Sequence, residues 1–576
     1  MTDTADAAPE KLSTWGFIKT LKERRVAVML MLGMAAGLPF FLIFDTLSAW
    51  LRQSGLSLQT ITVFALATLS YSLKFVWAPV VDRVRIPVLH GLLGQRRSWM
   101  ALMQMVIILG LWLIAGSNPA LDLGRVAILA VLVGFAGATQ DIAIDAWRIE
   151  SVEKSRYGVM ASAYQLGYRV AMIVSGAVPL ILADVFNWNL SYAVMAAVMG
   201  VGLLAVVLAP REPTVERPLA EDGLTARPWL ETLEWALRVG LIALGALFAG
   251  SGLAANGTLL AALLHALGAT AEGAEAFKSA WEARPNGIFR QFGGVVLGLG
   301  LIALACAPLP GARTRPGAYL GRSYGQPLAD FFRRYGGGFG AAILALICLY
   351  RLSDFVLNLM NPFYIDLGFD LTQIAEVRKV YGVVASVAGI AFAGWMITRL
   401  GVIRSMLIGV FASPISNLVF IWLAVSGPDM RVLYAAITID NFATSIAGTA
   451  LIVYMSSLTS KGFTATQYAL FSSLYAIFGK ITASQSGRIV EETARVADAG
   501  GFNGGLKAWF AALPPQSLAE GAKTAGVSAA ALGAGYATFF LYSVLIGGLA
   551  VGLAFFVARR QPAIEARLAA AEAEED

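Results

Sequence analysis

The chain is 576 residues long, 57% hydrophobic and only 14% charged, with a mean hydropathy of +0.69, whereas an ordinary soluble domain carries roughly a quarter charged residues. That much apolar surface needs lipid, which excludes a string of soluble domains and predicts one all-α polytopic membrane domain, since a barrel would alternate polar and apolar residues. The net charge of +6 does not point to nucleic acid, because the cations lie in loops between apolar spans.

Residues 1–25 form an expected cytoplasmic N-terminal segment. Its opening, MTDTADAAPEKLSTWGF, lacks a basic region followed by a short apolar core and a small-residue cleavage site, so no removed signal peptide is expected and the first apolar helix directs insertion. Windows of about 19 residues then predict spans near 26–44, 58–81, 99–116, 124–146, 158–184, 191–209, 238–266, 287–308, 339–365, 372–398, 402–425, 432–456, 464–490 and 535–557, about fourteen in all. Cations gather in alternate loops: Lys11, Lys19, Lys22, Arg24 and Arg25; Arg83, Arg85, Arg96 and Arg97; Arg148, Lys154 and Arg156; Arg211, Arg217, Arg227 and Arg238; Arg313, Arg315, Arg322, Arg333 and Arg334; Arg399 and Arg404; Arg559 and Arg560. The positive-inside rule puts those loops, and both termini, in the cytoplasm.

Residues 26–209 read as a six-helix half. Within 210–338, polar linkers at 210–230 and 309–338 flank an Ala/Gly/Leu-rich pair of spans, 238–308, which reads as a peripheral inserted hairpin. A second six-helix half follows at 339–557, with a long external loop at 491–534 that could cover the outer mouth and turns at Ala511–Pro515. An acidic cytoplasmic tail occupies 558–576. Without the hairpin this is a six-plus-six plan, in which two halves rock about a central site. GYRVAMIVSG in the fifth span and FGKITASQSG in the thirteenth line up Arg169 with Lys480 and Gly176 with Gly487, and each follows a basic turn, as corresponding positions should. Cys306 and Cys348 lie in apolar stretches, with no disulfide framework and no metal-ligand spacing.

An ionisable residue in a span costs several kcal/mol unless it faces a wet cavity or a partner. Lys74, Asp141, Asp145, Arg169, Arg351, Asp354, Asp440 and Lys480 all fall in spans of the two halves. Arg351, Asp354, Asn358 and Asn361 recur every three or four residues and make one polar face of the ninth span; Asp141, Asp145 and Arg148 stack on the fourth, and Gln165 and Arg169 on the fifth. The bland reading is that such groups pair to hold helices together; as a set they outline a cavity. With His90 in a loop and His265 in the hairpin, proton coupling falls to a buried carboxylate, with Asp141, Asp145, Asp354 and Asp440 as candidates. Arg351 lies one turn from Asp354 and keeps it ionised, which favours Asp141 or Asp440.

Gly33 and Gly37, with Pro39, allow close approach and bending of the first span. Trp15, Trp50, Trp77, Trp99 and Trp422 read as interface anchors, while Tyr71, Tyr164, Tyr168, Tyr350 and Tyr475 lie deeper, where a sugar could stack. Arg169, Arg351 and Lys480 offer such a cavity positive charge, and Gln140, Asn358 and Asn441 offer it hydrogen-bonding groups.

Asp82-Arg83 and GQRR (94–97) resemble the loop motif of the major facilitator superfamily, in which a carboxylate at a helix end meets arginines and latches a gate. Asp82, Arg83, Arg96 and Arg97 are then gating residues, and RLGVIR (399–404) stands at the matching place in the second half; a merely topology-setting basic loop is the alternative. GATQDIAIDAWR (137–148) looks like a segment of the AmpG muropeptide permeases, as do GLPFFLIFDTLSAWL (37–51), KFVWAPVVDR (74–83), LYRLSD (349–354) and FTATQYAL (463–470). The resemblance implies the major facilitator six-plus-six fold, from which this chain departs by its two additional inserted helices. It also implies a permease, not an enzyme, of the bacterial inner membrane that takes in anhydromuropeptides with protons and needs no cofactor. Its partners would be a sugar-peptide substrate, protons and the lipid bilayer, with the protein a monomer. Carried over by position, Gln140, Asp141 and Asp145 come first, then Lys74, Arg351, Asp354 and Lys379; Tyr164, Gln165, Arg169, Asn358, Asn441 and Lys480 complete the expected site. The loop motif here is stretched by residues 84–93, and DFVLNLMNPFYIDLG (354–368) replaces a stretch often richer in Thr and Ser. These departures leave open a relative with another large polar substrate, such as a siderophore. An enzyme would want a paired-carboxylate or metal cluster at the membrane surface and a sensor a soluble output domain; the sequence offers neither.

Overall fold

The computed structural model describes residues 23–54, 69–211, 227–283, 287–307, 314–370, 373–374, 376–460, 462–483 and 486–575. Among them the regular structure is helical throughout, and twelve helices are long and apolar enough to cross a membrane. The chain is a multi-pass membrane protein. The twelve correspond to the expected spans except the second and the thirteenth. The second lies partly on 55–68, outside the described residues, and continues as Leu69–Leu73, Lys74–Val76 and Ala78–Arg83; the thirteenth is the helix Thr464–Ala483. Alternate connections carry the cations to one end of the bundle, the basic end, and the opposite end is the far end.

The tightest packing joins the first helix, Arg24–Phe41, to the fifth-span helix, Tyr157–Val185. A side chain on Gly33 would run into the carbonyl of Tyr164, and one on Gly167 into the carbonyl of Leu30. Each helix therefore presents its bare backbone to the other, as small residues at a membrane-helix crossing allow.

The first two helices of each half are irregular, three of them beside a proline. The first helix carries Pro39 and passes into a π-helical turn, Leu42–Thr46. In the second span Pro79 has no N–H to give the Phe75 carbonyl, so the helix stops at Leu73, makes a 3-10 turn at Lys74–Val76 and restarts at Ala78. The ninth span repeats this: Pro362 stands four residues after Asn358, and a 3-10 turn occupies Val356–Leu359, with Leu357 off helical geometry. The tenth begins with a π-helical turn, Glu376–Tyr381. Irregular backbone at membrane depth occurs where it is buried in protein or lines a wet cavity, so these turns mark the central surface.

The hairpin is built differently from the expected 238–266 and 287–308. Pro228 starts its first helix ten residues earlier, and that helix ends at Leu253 in the turn where Ala255 takes a positive φ of 51°. Thr258–Ala266 and the amphipathic Ala271–Glu282 follow, capped by Thr270, and Gly287–Cys306 returns. Gly245 and Gly298 let the two long helices touch. The pair leans on the second span, with Ala249 and Ile302 against Leu73 and Val76.

The linker expected at 309–338 is helical over Arg315–Leu320 and Gln326–Tyr335 and clasps both halves at the basic end. Arg83 Nη2 donates to the Arg322 carbonyl at 2.7 Å and the Tyr324 hydroxyl to the Val76 carbonyl. Gln467 Nε2 donates to the Pro327 carbonyl at 2.9 Å, and Arg334 Nη2 to the Leu458 carbonyl at 3.0 Å. The loop expected over 491–534 is fastened to the second half. Leu518 N–H donates to the Asp366 carbonyl and the Tyr536 hydroxyl to the Asp366 carboxylate, both at 2.6 Å. The acidic tail expected at 558–576 prolongs the last span, which runs unbroken over Ala529–Glu575.

Candidate functional site

The break in the second span presents Lys74, 7% exposed, to the fourth-span helix, Leu123–Glu150. Lys74 Nζ lies 3.4 Å from Asp145 Oδ2 and 3.9 Å from Asp141 Oδ2. The other oxygen of Asp145 faces Arg148 Nη2 at 3.3 Å. Two carboxylates and two cations thus balance inside the first half. Stacking of Asp141, Asp145 and Arg148 follows from the helical repeat; Lys74 comes from a helix whose sequence does not announce its break. Asp141 Oδ1 is buried without a hydrogen-bond partner among the described residues.

A second charged group lies across the seam. Arg351 Nε pairs with Asp354 Oδ2 at 2.6 Å, and Asp354 Oδ1 accepts from the Ser413 hydroxyl. Gly448 leaves room for Arg351 to approach Gln165 of the first half, and Gln165 Nε2 donates to Thr449 Oγ1 at 2.5 Å. Arg169 lies close enough to Arg351 and Asp440 to feel both charges, and Asp440 also feels Asp354 and Arg378. Asp440 Oδ1 has no hydrogen-bond partner among the described residues. Tyr164 and Tyr168 lie 6.2 Å apart between the two groups, and Tyr475 packs on Phe355 at 5.1 Å. Toward the far end Asn361, Glu376 and Arg378 are exposed. Arg378 binds Asn361, and the Tyr434 hydroxyl donates to Glu376 at 3.2 Å.

Two expected contacts are already engaged. Gln140 is fully buried and donates through Nε2 to the Ala35 carbonyl at 2.7 Å, holding the first helix, though its Oε1 has no partner among the described residues. Asn441 accepts from the Ser386 hydroxyl at 2.9 Å and donates to the Ile437 carbonyl. The side chains of Asn358, Lys379 and Lys480 lie outside the described residues.

At the basic end Asp82 Oδ1 pairs with Arg96 at 2.6 Å, and Arg96 also pairs with Glu150 at 2.8 Å. Asp82 Oδ2 accepts from the Thr466 backbone N–H at 2.8 Å and from its hydroxyl at 2.5 Å. Thr466 opens the thirteenth-span helix of the other half, so a carboxylate of the first half sits at a helix N-terminus of the second. Sequence reasoning found Asp82 and Arg96 but not Glu150 or Thr466. Arg97 turns away and donates to the Val206 carbonyl at 3.2 Å. Arg83 reaches the linker; burial lowers its pKa, and Arg322 adds to the effect against the opposing pull of Tyr319 and Asp82.

Other cross-half contacts gather at the same end. Gly158 meets Gly394 and Ile397, the Ser162 hydroxyl donates to the Ile390 carbonyl at 3.0 Å, and Arg148 Nη1 donates to Ser456 Oγ at 3.0 Å.

A family model described as Major Facilitator Superfamily matches residues 73–484. An AmpG 4 protein of Rickettsia conorii is 28% identical over 475 residues, covering 82% of this chain and 91% of its own. The anhydromuropeptide permease of Escherichia coli K12 is 27% identical over 464 residues, 80% of this chain and 73% of its own. Among solved structures, the proton:xylose symporter XylE bound to 6-bromo-6-deoxy-D-glucose superposes with a TM-score of 0.50 at 13% identity, covering 92% of this chain and 95% of that one. It shares the fold.

Proposed function

The chain belongs to the major facilitator superfamily and is a transporter, not an enzyme; from that premise we propose that it imports anhydromuropeptides across the bacterial inner membrane by alternating access, driven by protons. The substrate would be N-acetylglucosaminyl-anhydro-N-acetylmuramic acid, with or without its stem peptide. The observation that carries this reading is a buried charged group in each half, in a chain 27–28% identical over four-fifths of its length to AmpG-named relatives. The basic end would be cytoplasmic, with both termini there, and the chain would cross fourteen times as a monomer.

The two groups divide the work. Arg351 and Arg169 would take the carboxylates of the muramic acid or stem peptide, while Gln165 and the rings of Tyr164 and Tyr475 would meet the sugars. The proton would ride on a carboxylate, of which Asp141 and Asp440 carry an oxygen with no hydrogen-bond partner among the described residues, while Asp145 and Asp354 are each paired with an arginine. With the cross-half contacts at the basic end and polar groups exposed toward the far end, the state seen here would receive substrate from outside.

Uptake of radiolabelled disaccharide anhydromuropeptide into proteoliposomes, with and without a protonophore, tests this. Wild type should accumulate the substrate only while the proton gradient stands, and Asp141→Asn should lose accumulation. A correctly inserted wild type that takes up none refutes the substrate assignment, and siderophores would be screened next.

A further inference from the structure

Arg148 is 1% exposed and belongs to no part of the Asp82 latch, yet it touches both halves. Its Nη2 is held by Asp145, one turn back on its own helix, at 3.3 Å. Nη1 donates across the seam to Ser456 Oγ at 3.0 Å, and Ser456 is free to accept because its own proton goes to the Ile452 carbonyl at 2.6 Å. The guanidinium also lies over the Tyr468 ring of the second half at 5.1 Å and beside the Tyr164 ring at 6.0 Å. Reading back from the seam, Asp145 gives its other oxygen to Lys74, and Lys74 also faces Asp141. The buried chain is therefore Asp141, Lys74, Asp145, Arg148, and then Ser456 and Tyr468 of the opposite half.

We propose that Arg148 is a positioning residue through which the protonation of Asp141 determines whether the basic end is closed. This rests on the proton-coupled reading above. The groups facing Asp141 are Lys74 and Tyr71 on the second span, Asp145 on its own helix, Tyr164 and Tyr168 on the fifth and Tyr468 on the thirteenth; Lys74 is the cation among them. With Asp141 ionised, two carboxylates balance two cations, Lys74 is shared, and Asp145 is left to align Arg148. With Asp141 protonated, Lys74 loses one of its two carboxylates and closes on Asp145, and the buried group carries one uncompensated positive charge. Asp145 then holds Arg148 less firmly. The guanidinium loses its aim at Ser456 and Tyr468, and the seam parts at the basic end. Acid therefore opens that end and alkali closes it.

The test needs no substrate. Ser162, buried at the seam, is replaced by cysteine in a background with Cys306 and Cys348 changed to alanine, and the rate of maleimide labelling is followed against pH in the purified full-length protein. Labelling should quicken as pH falls, and Asp141→Asn should label fast at every pH. Ser456→Ala and Arg148→Lys should keep the transition but move it about one pH unit upward, the linked counterpart of a roughly tenfold loss of closed state on removing one charge-assisted hydrogen bond. Ser456→Thr, which keeps the hydroxyl, should restore the wild-type curve. Curves for Ser456→Ala and Arg148→Lys that superpose on wild type overturn the proposal, as does an Asp141→Asn protein that keeps the wild-type pH dependence. A wild type that shows the Ser456-dependent shift but takes up no muropeptide keeps the relay and loses only the substrate; one that takes up muropeptide without the shift loses only the relay.

Discussion

Asp82 uses both carboxylate oxygens, one within its own half on Arg96 and one across the seam on Thr466. Asp82→Asn keeps the volume and removes the charge. Because Arg96 retains Glu150, the cost should fall below that of a fully stranded buried cation, at about 2 kcal/mol. It should appear as a lower melting temperature in detergent and as a basic end that labels more readily; an unchanged melting temperature would mean that closure is held elsewhere. Such pairings show how far the sequence speaks at this scale. A helical repeat of three and four exposed Asp141, Asp145 and Arg148 as one face, and Arg351 with Asp354 as another. What it could not show were partners from distant helices: Lys74 for the aspartates, Ser456 and Tyr468 for Arg148, Glu150 and Thr466 for the latch. Gln140 was prominent for its place in a motif, yet its amide fastens the first helix to the fourth.

Among the elements, the crossing of the first and fifth spans is the most constrained. Gly33 and Gly167 each sit against the other helix's carbonyls, so Gly33→Ala must push the backbones apart. The expected cost is about 1–3 kcal/mol, the range for overpacking, measured as a lower thermal unfolding temperature; an equally stable variant would show that the two helices are not in register as described. Span positions were legible because a lipid-facing helix must be apolar for about 20 residues. Their interruptions were less so. Pro79 and Pro362 stood in the sequence, but whether a proline kinks a membrane helix or breaks it into a 3-10 turn depends on neighbours that can satisfy the freed carbonyl. The 309–338 linker and the 558–576 tail looked like polar connections because hydropathy sees composition, whereas their helices are stabilised by contacts with other parts of the chain, such as Gln467 on Pro327 and Tyr454 on Gln561.

For the molecule as a whole, an all-helical polytopic fold was legible in the succession of long apolar spans. Which end is closed was not, since closure is decided by side chains up to 384 residues apart. The hairpin's apolar packing onto the halves centres on Leu73 and Val76 in the second span, and lipid would cover those two residues about as well as Ala249 and Ile302 do. Replacing 228–306 by a short flexible link should therefore preserve proton-driven uptake within a few-fold; complete loss of uptake by a properly inserted variant would give the pair a part in transport. The final helix, 47 residues without interruption, is about 70 Å long at 1.5 Å per residue, more than twice the roughly 30 Å of hydrocarbon it crosses. Anything fixed to the half that carries it becomes the short arm of a lever. A tilt of about 10° would sweep the outer tip of a rod of this length through roughly 12 Å, so a spin label on that tip would magnify a rocking motion too small to follow at the pivot.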